Sequence, residues 1–433
     1  MSRVDSKVRR LVAIGAATAL ALSMAACSST GSGGTTGTQT VVWSTWGTPQ
    51  ELARARQFDT QFMKSHPSIK VVLQPVADYN DYHTKLLAEL ASGTAPDVFY
   101  IGDDKIGEFV SSKKLMPLTT LMNSSASKTK PSDFPQGLYG AAKQGDQIYA
   151  APNDTNPDAL WYDKVALKAA GITEDPATLA AEGKWTTKTY LQMNDQLKKA
   201  GLTGSMFWNY WSTHYSWIES QGGKAFNSAG KFVGNTDPTT VSAVNTLAKN
   251  FQDGTFVVAD TLPQGDGSDN LFVTHKSGFY IQGRYTIGTV KAAGDPQNYN
   301  VVRWPTPNGT ASPTGVAVSY LAINADTKVK SAAFTFWTNF LSVQGQTFRL
   351  EGGGNAVPSV SGANKVVLDG YPENAQTLLD MDKIGFEDPT PEASVPGLST
   401  DVSNLMLNLY QGKSTTQATL NQVAKLINSK TGK

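Results

Sequence analysis

The sequence predicts an α/β protein of two lobes, each a mostly parallel sheet flanked by helices, with two or three chain crossings between them. Three observations carry this. Strand-like and helix-like stretches alternate from Thr40 to Asp104 at the spacing of βαβ units. A loop dense in Asn, Asp and Pro separates two strand-like runs between Pro152 and Asp158. The 433 residues exceed what one hydrophobic core usually serves.

Taken in order, Arg3, Lys7, Arg9 and Arg10 precede an apolar run from Leu11 to Ala26. A basic opening before an apolar stretch too short to span a bilayer is the pattern of a secretory signal, here residues 1–26. Met24-Ala25-Ala26-Cys27 resembles a bacterial lipobox, which implies lipidation of Cys27 after cleavage, although Met24 stands where Leu is usual. Cys27 is the only cysteine, so it has no disulfide partner within the chain. Residues 27–39 are almost wholly Ser, Gly and Thr after the cysteine, a flexible tether. Removing four basic residues and Asp5 from totals of 37 and 36 leaves 33 and 35, a formal charge of −2. Such a balance argues against a nucleic-acid partner. The expected protein is an anchored monomer on the outer face of a bacterial membrane.

In the body, Thr40 to Gly47 reads as a buried strand, Pro49 to Lys64 as a helix, and Ile69 to Leu73 as a strand. Tyr79 to Leu90 is a helix, and Asp97 to Ile101 a strand opening into Gly102-Asp103-Asp104. The first crossing is expected at Pro152, which cannot donate to a ladder. The helix from Asp163 stops at Gly171, the next is capped by Thr186 or Thr187, and another starts at the Asp237 cap. Further crossings are expected at Trp304–Gly315 and at Gly352–Asn355. One lobe is therefore 40–151 plus 313–355 and the other 152–312 plus 356–433. Trp43, Trp185 and Trp337 are expected in cores, and Asp97 as a structural turn cap. Gln264 to Asn270 lacks the spacing of an EF-hand and reads as a solvated turn.

Chemical motifs narrow the function. No Gly-x-Ser-x-Gly elbow occurs, and His66, His83, His214 and His275 lack metal-ligand spacing. No cofactor is implied. What stands out is aromatic and carboxylate density: Phe207 to Trp217, the crossing Asp154 to Tyr162, and Asp103-Asp104. Flat rings cover the apolar face of a sugar, and carboxylates or Arg bond its hydroxyls, at roughly 1.5–3 kcal/mol for each bond to a charged group.

The order of four pieces resembles the carbohydrate-binding solute receptors of ABC importers, the family that includes the maltodextrin-binding proteins. They are Ala95-Pro96-Asp97-Val98, Asp158 to Lys164, Lys276 to Tyr285, and Ala332 to Ser342 followed by Asn355-Ala356-Val357-Pro358. The resemblance covers nearly the whole chain after the tether. It implies a two-lobed periplasmic-binding-protein fold, a mono- or oligosaccharide ligand in the cleft, and the transmembrane subunits of an importer as partners. The family's cleft positions fall on Trp46, Asp103, Asp104, Asp158 and Tyr162. Its stacking tryptophan falls on Tyr285, a smaller ring. Asp154, Trp208, Trp211 and Arg284 complete the expected sugar-binding set from their residue types. The competing readings are a surface-anchored glycoside hydrolase, since two carboxylates across a cleft also suit hydrolysis, and a receptor for a non-sugar solute.

Overall fold

The computed structural model describes residues 37–47, 49–76, 79–263, 267–352 and 354–433. The signal segment, Cys27, the tether up to Thr36 and Gln264 to Asp266 lie outside the described residues. Among the described residues thirteen strands follow in order: β1 (Gln39–Trp46), β2 (Ile69–Val76), β3 (Val98–Gly102), β4 (Lys143–Gln144), β5 (Gln147–Ile148), β6 (Ala150–Pro157), β7 (Ala159–Asp163), β8 (Thr203–Phe207), β9 (Phe256–Val258), β10 (Ser277–Gln282), β11 (Tyr299–Val302), β12 (Val316–Ile323) and β13 (Val357–Pro358).

They form a six-stranded sheet ordered β13-β6-β12-β3-β1-β2, a five-stranded sheet ordered β11-β7-β10-β8-β9, and the small hairpin β4-β5. Both large sheets are mixed rather than mostly parallel. The pairs β1–β2, β1–β3, β8–β9 and β8–β10 are parallel, and the others antiparallel. The crossings explain this: β6 carries the chain out of the first sheet and β12 brings it back, so the two run oppositely.

Side-chain alternation builds the first lobe. Along β12, Leu321 and Ile323 enter one core with Trp43, Phe336 and Trp337, while Val318, Tyr320 and Ala322 enter the opposite one with Phe99 and Phe109. The helix Lys330–Leu341 covers the former face, and Trp337 Nε1 donates to the Leu321 carbonyl at 2.8 Å. The second lobe has its own core, holding Trp161, Trp185, Phe279 and Trp304. Thr186 and Asp237 cap the helices Thr187–Lys199 and Pro238–Gln252 through the amides of Thr189 and Thr240. Asp97 accepts from the Val42 amide at 2.9 Å and from the Thr327 hydroxyl, a structural tie.

The first crossing lies later than the sequence indicates. Pro152 sits inside β6, opposite Tyr320 at a register shift between Ser319 and Tyr320, and the irregular ladder there absorbs its missing N–H. The strand continues to Pro157, and Ala159 already belongs to the other sheet. The third crossing also lies later, because β13 still pairs with β6 at Val357 and Pro358.

Candidate functional site

Parallel strands gather their carboxyl ends on one edge, where loops carry side chains into a common space. In the first lobe β1 and β3 end side by side, delivering Trp46 and the Gly102-Asp103-Asp104 turn. Trp46 packs edge-on against Tyr82 and Tyr100, at ring distances of 5.2 and 5.6 Å, and keeps part of its surface open. Asp103 is buried, and Asp104 pairs with Lys105 at 2.9 Å.

In the second lobe β8 and β10 end in the same way. Trp208 follows the former and Tyr285 the latter, and these two rings are 37% and 44% exposed in a chain whose other tryptophans, Trp46 apart, are buried. Their polar ends are fixed from behind. Trp208 Nε1 donates to the Tyr280 hydroxyl at 3.2 Å, Tyr280 donates to Asp269 at 3.0 Å, and the Tyr285 hydroxyl donates to Gln282. Held rings of this kind offer area at little entropic cost.

A hydrogen bond joins the walls: the Tyr210 hydroxyl of the second lobe donates to Asp103 Oδ1 of the first at 2.9 Å. Behind it, Asp158 occupies the crossing. Its amide donates to the Gly315 carbonyl at 2.9 Å, its carbonyl accepts from Trp304 Nε1 at 2.5 Å, and its carboxylate accepts from Thr213 at 3.2 Å. Burial pushes the Asp158 carboxyl up to about 7, with the Thr213 and Ser212 hydroxyls holding it down only in part. Gly315 is required at this joint, because a Cβ would lie 2.7 Å from Ser212 Cβ.

Four expected contacts have other employment. Tyr162 is fully buried in β7, packs near Phe279 and donates to Asp175 at 2.6 Å. Every residue of β7 is buried, so strand alternation does not aim Tyr162 at the cleft. Trp211, 1% exposed, packs beside Tyr210 and Phe386. Arg284 is 1% exposed and gives its guanidinium to the carbonyls of Gly354, Ala356 and Val366 at 2.5, 2.8 and 2.9 Å. Asp154, also buried, accepts from Asn153 at 2.6 Å, and Arg349 donates to that same Asn153 at 2.9 Å. Tyr162→Phe is accordingly expected to lower stability by about 1 kcal/mol, the net value of one hydrogen bond, with ligand affinity unchanged. Chemical unfolding and titration of the variant check both halves.

The expected sugar-binding set does not include Tyr210, Tyr280 or Gln282, although each lies in a stretch the sequence singles out, nor the acidic residues Glu387, Asp388 and Glu392. The last set carries a signal: carboxylates four apart, Asp388 just before the short helix Thr390–Ala393 and Glu392 within it.

Two α/β lobes joined by repeated crossings, with strand ends facing one another, define a two-lobed binding protein of the periplasmic type. The chain belongs to the bacterial extracellular solute-binding protein family, whose model matches residues 46–347. An uncharacterized lipoprotein of Streptomyces antibioticus is 25% identical over 69% of this chain and 64% of its own length. A maltotriose-binding protein of Pyrococcus abyssi is 24% identical over 68% of this chain and 61% of its own. The chain thus spans somewhat less than two thirds of these relatives. An ABC substrate-binding protein of Listeria monocytogenes, solved in complex with cycloalternan, shares the fold with a TM-score of 0.78 at 20% identity, over 91% of this chain and 99% of that one. Among the described residues no helix is long and apolar enough to cross a membrane.

Proposed function

We propose that the protein is a non-catalytic extracytoplasmic receptor that binds a mono- or oligosaccharide between its lobes and hands it to the transmembrane subunits of an ABC importer. The observation that supports this is the pair of exposed, backed rings Trp208 and Tyr285 at the strand ends of one lobe, with Trp46 and the Asp103-Asp104 turn at the strand ends of the other. Sugar-binding names among its relatives support the same reading. Lipidation at Cys27 and the following tether would hold a monomeric body near the membrane, where an importer stands. Ligand bridging both walls favours the closed arrangement of the lobes, and the closed surface is what the permease recognises.

The test is thermal unfolding of the mature chain against a panel of mono- and oligosaccharides. A ligand at 100 times its dissociation constant adds about 2.7 kcal/mol, and the sugar must be recovered intact. A cleaved sugar transfers the site to a hydrolase, and a panel without any shift removes the sugar reading. Trp208→Ala and Tyr285→Ala are each expected to weaken the responding sugar about tenfold to a hundredfold, the value of one stacking ring at roughly 1–3 kcal/mol. Unfolding midpoints without ligand should stay near the parent, because both rings are exposed.

A further inference from the structure

Five carboxylates meet where the lobes join. Asp103 and Asp104 arrive from the end of β3, while Glu387, Asp388 and Glu392 come from the segment that follows the helix Gln376–Ile384. That segment is tied to the second crossing through the Phe386 amide and the Thr314 carbonyl at 2.9 Å. Three tyrosine hydroxyls each satisfy one carboxylate oxygen: Tyr210 on Asp103, Tyr320 on Glu387 at 2.8 Å, and Tyr215 on Glu392. Glycine at 140 leaves room for Glu387, since a Cβ there would fall 1.9 Å from its Oε2.

Glu387 also accepts from the Gly140 amide, while the opposite oxygens of the other two are left over. Among the described residues Asp103 Oδ2 and Glu392 Oε1 are buried without a hydrogen-bond partner. Asp388, 2% exposed, has no partner on either oxygen, and it lies within electrostatic reach of the other four carboxylates. Among the described ion pairs, Lys105 with Asp104 is the one that reaches this cluster. Burial with like charges around it holds the Asp388 carboxyl well above its usual range.

A buried group of like charges with spare acceptors calls for a donor that also brings positive charge. A neutral hydroxyl supplies the hydrogen and leaves the repulsion. A metal ion would need ligands converging on one point, and among the described residues no group of three or more His, Cys, Asp or Glu is so arranged. An ammonium group, with three donors spread over a wider radius, fits the dispersed oxygens.

We propose that the carboxylate cluster receives the protonated amine of an amino-sugar unit, so that the cleft selects amine-bearing over neutral saccharides of the same length. This rests on the sugar-receptor reading. The test is calorimetric titration of the mature chain with glucosamine, galactosamine and short glucosamine oligomers, each against its N-acetylated twin and a glucose oligomer of equal length. The free-amine form should bind at least about tenfold tighter near neutral pH, with that preference shrinking in added salt. Asp388→Asn should erase the preference while leaving binding of the N-acetylated twin and the unfolding midpoint intact. Asp388→Glu, which retains the charge, should keep it. Equal or tighter binding of neutral sugars, or a preference that survives Asp388→Asn, overturns the proposal and spares the sugar receptor. Stabilisation by calcium chloride or spermidine alone, with no saccharide active, overturns both.

Discussion

Arg284→Met is expected to cost on the order of 3–5 kcal/mol of stability, the range for removing one partner of a buried charged network. The guanidinium is a fork that satisfies three carbonyls separated from it by 70 to 82 positions in sequence. All three partners are carbonyls, and burial lowers the guanidinium pKa to about 10, so the charge rests on backbone dipoles. Methionine fills similar volume but leaves the Ala356 and Val366 carbonyls buried and unpaired. Lysine restores charge without the fork, so Arg284→Lys is expected to recover only part of the loss. The affected carbonyls lie on both sides of the third crossing, from Gly354 to Val366. Loss of the clamp should therefore loosen that crossing before the sheets themselves. Chemical unfolding checks the size, and hydrogen exchange at residues 354–368 checks the place. Had Arg284 served as a sugar contact, the variant would lose binding at an unchanged unfolding midpoint, and that result would sink the structural role.

Arg284 also illustrates which features the sequence reveals. The strands of the first lobe are readable because β1 and β3 are short apolar runs between helices with clear periodicity. Trp46, Asp103 and Asp104 follow from that reading, since strand ends are fixed by the strands. Tyr162 does not, because a strand buried on both faces has no periodicity that separates cleft from core. Nor does Arg284, because its partners meet it only through the fold. The crossing lies beyond Pro152 for a local reason: a register shift accommodates a proline that the residue pattern alone reads as a strand end. The acidic cluster is the furthest from view, with Asp103 and Asp388 at opposite ends of the chain and joined only when the segment after the helix Gln376–Ile384 folds back. What the sequence does convey there is composition, two short acidic stretches with Lys105 as the neighbouring cation.

The same cluster, with the buried carboxyls of Asp158 and Asp154, predicts how stability varies with pH. Without ligand, the protein is expected to become more stable as pH falls from about 8 to 5, by several kcal/mol. Burial raises Glu387 to about 8, Asp158 to about 7 and Asp154 to about 6. Asp103, Asp388 and Glu392 move in the same direction, for the same cause. A carboxyl whose folded-state pKa lies above its unfolded value contributes stability that is full below the unfolded value and lost as pH rises through the folded one. Each unit of pH below the folded value is worth about 1.4 kcal/mol per group. His214 opposes them. It is buried, and its folded-state value is lowered to about 3, so its contribution is present above about 6.5 and lost as pH falls. One histidine gives back about 2 kcal/mol between pH 6.5 and 5, less than Asp158 and Glu387 together return over the whole interval. Asp237 and Asp253, whose values are lowered, act only at more acid pH. Thermal midpoints measured across this interval should climb toward acid, and a flat or falling profile would mean the carboxylates are solvated. Around Glu387 and Asp388 stand Asp103, Asp104, Lys105, Glu392 and the hydroxyl of Tyr320. A cationic ligand seated among them takes the place of the protons, so its saturation should reduce the climb to the share of Asp158 and Asp154, while a neutral sugar should leave the slope in place.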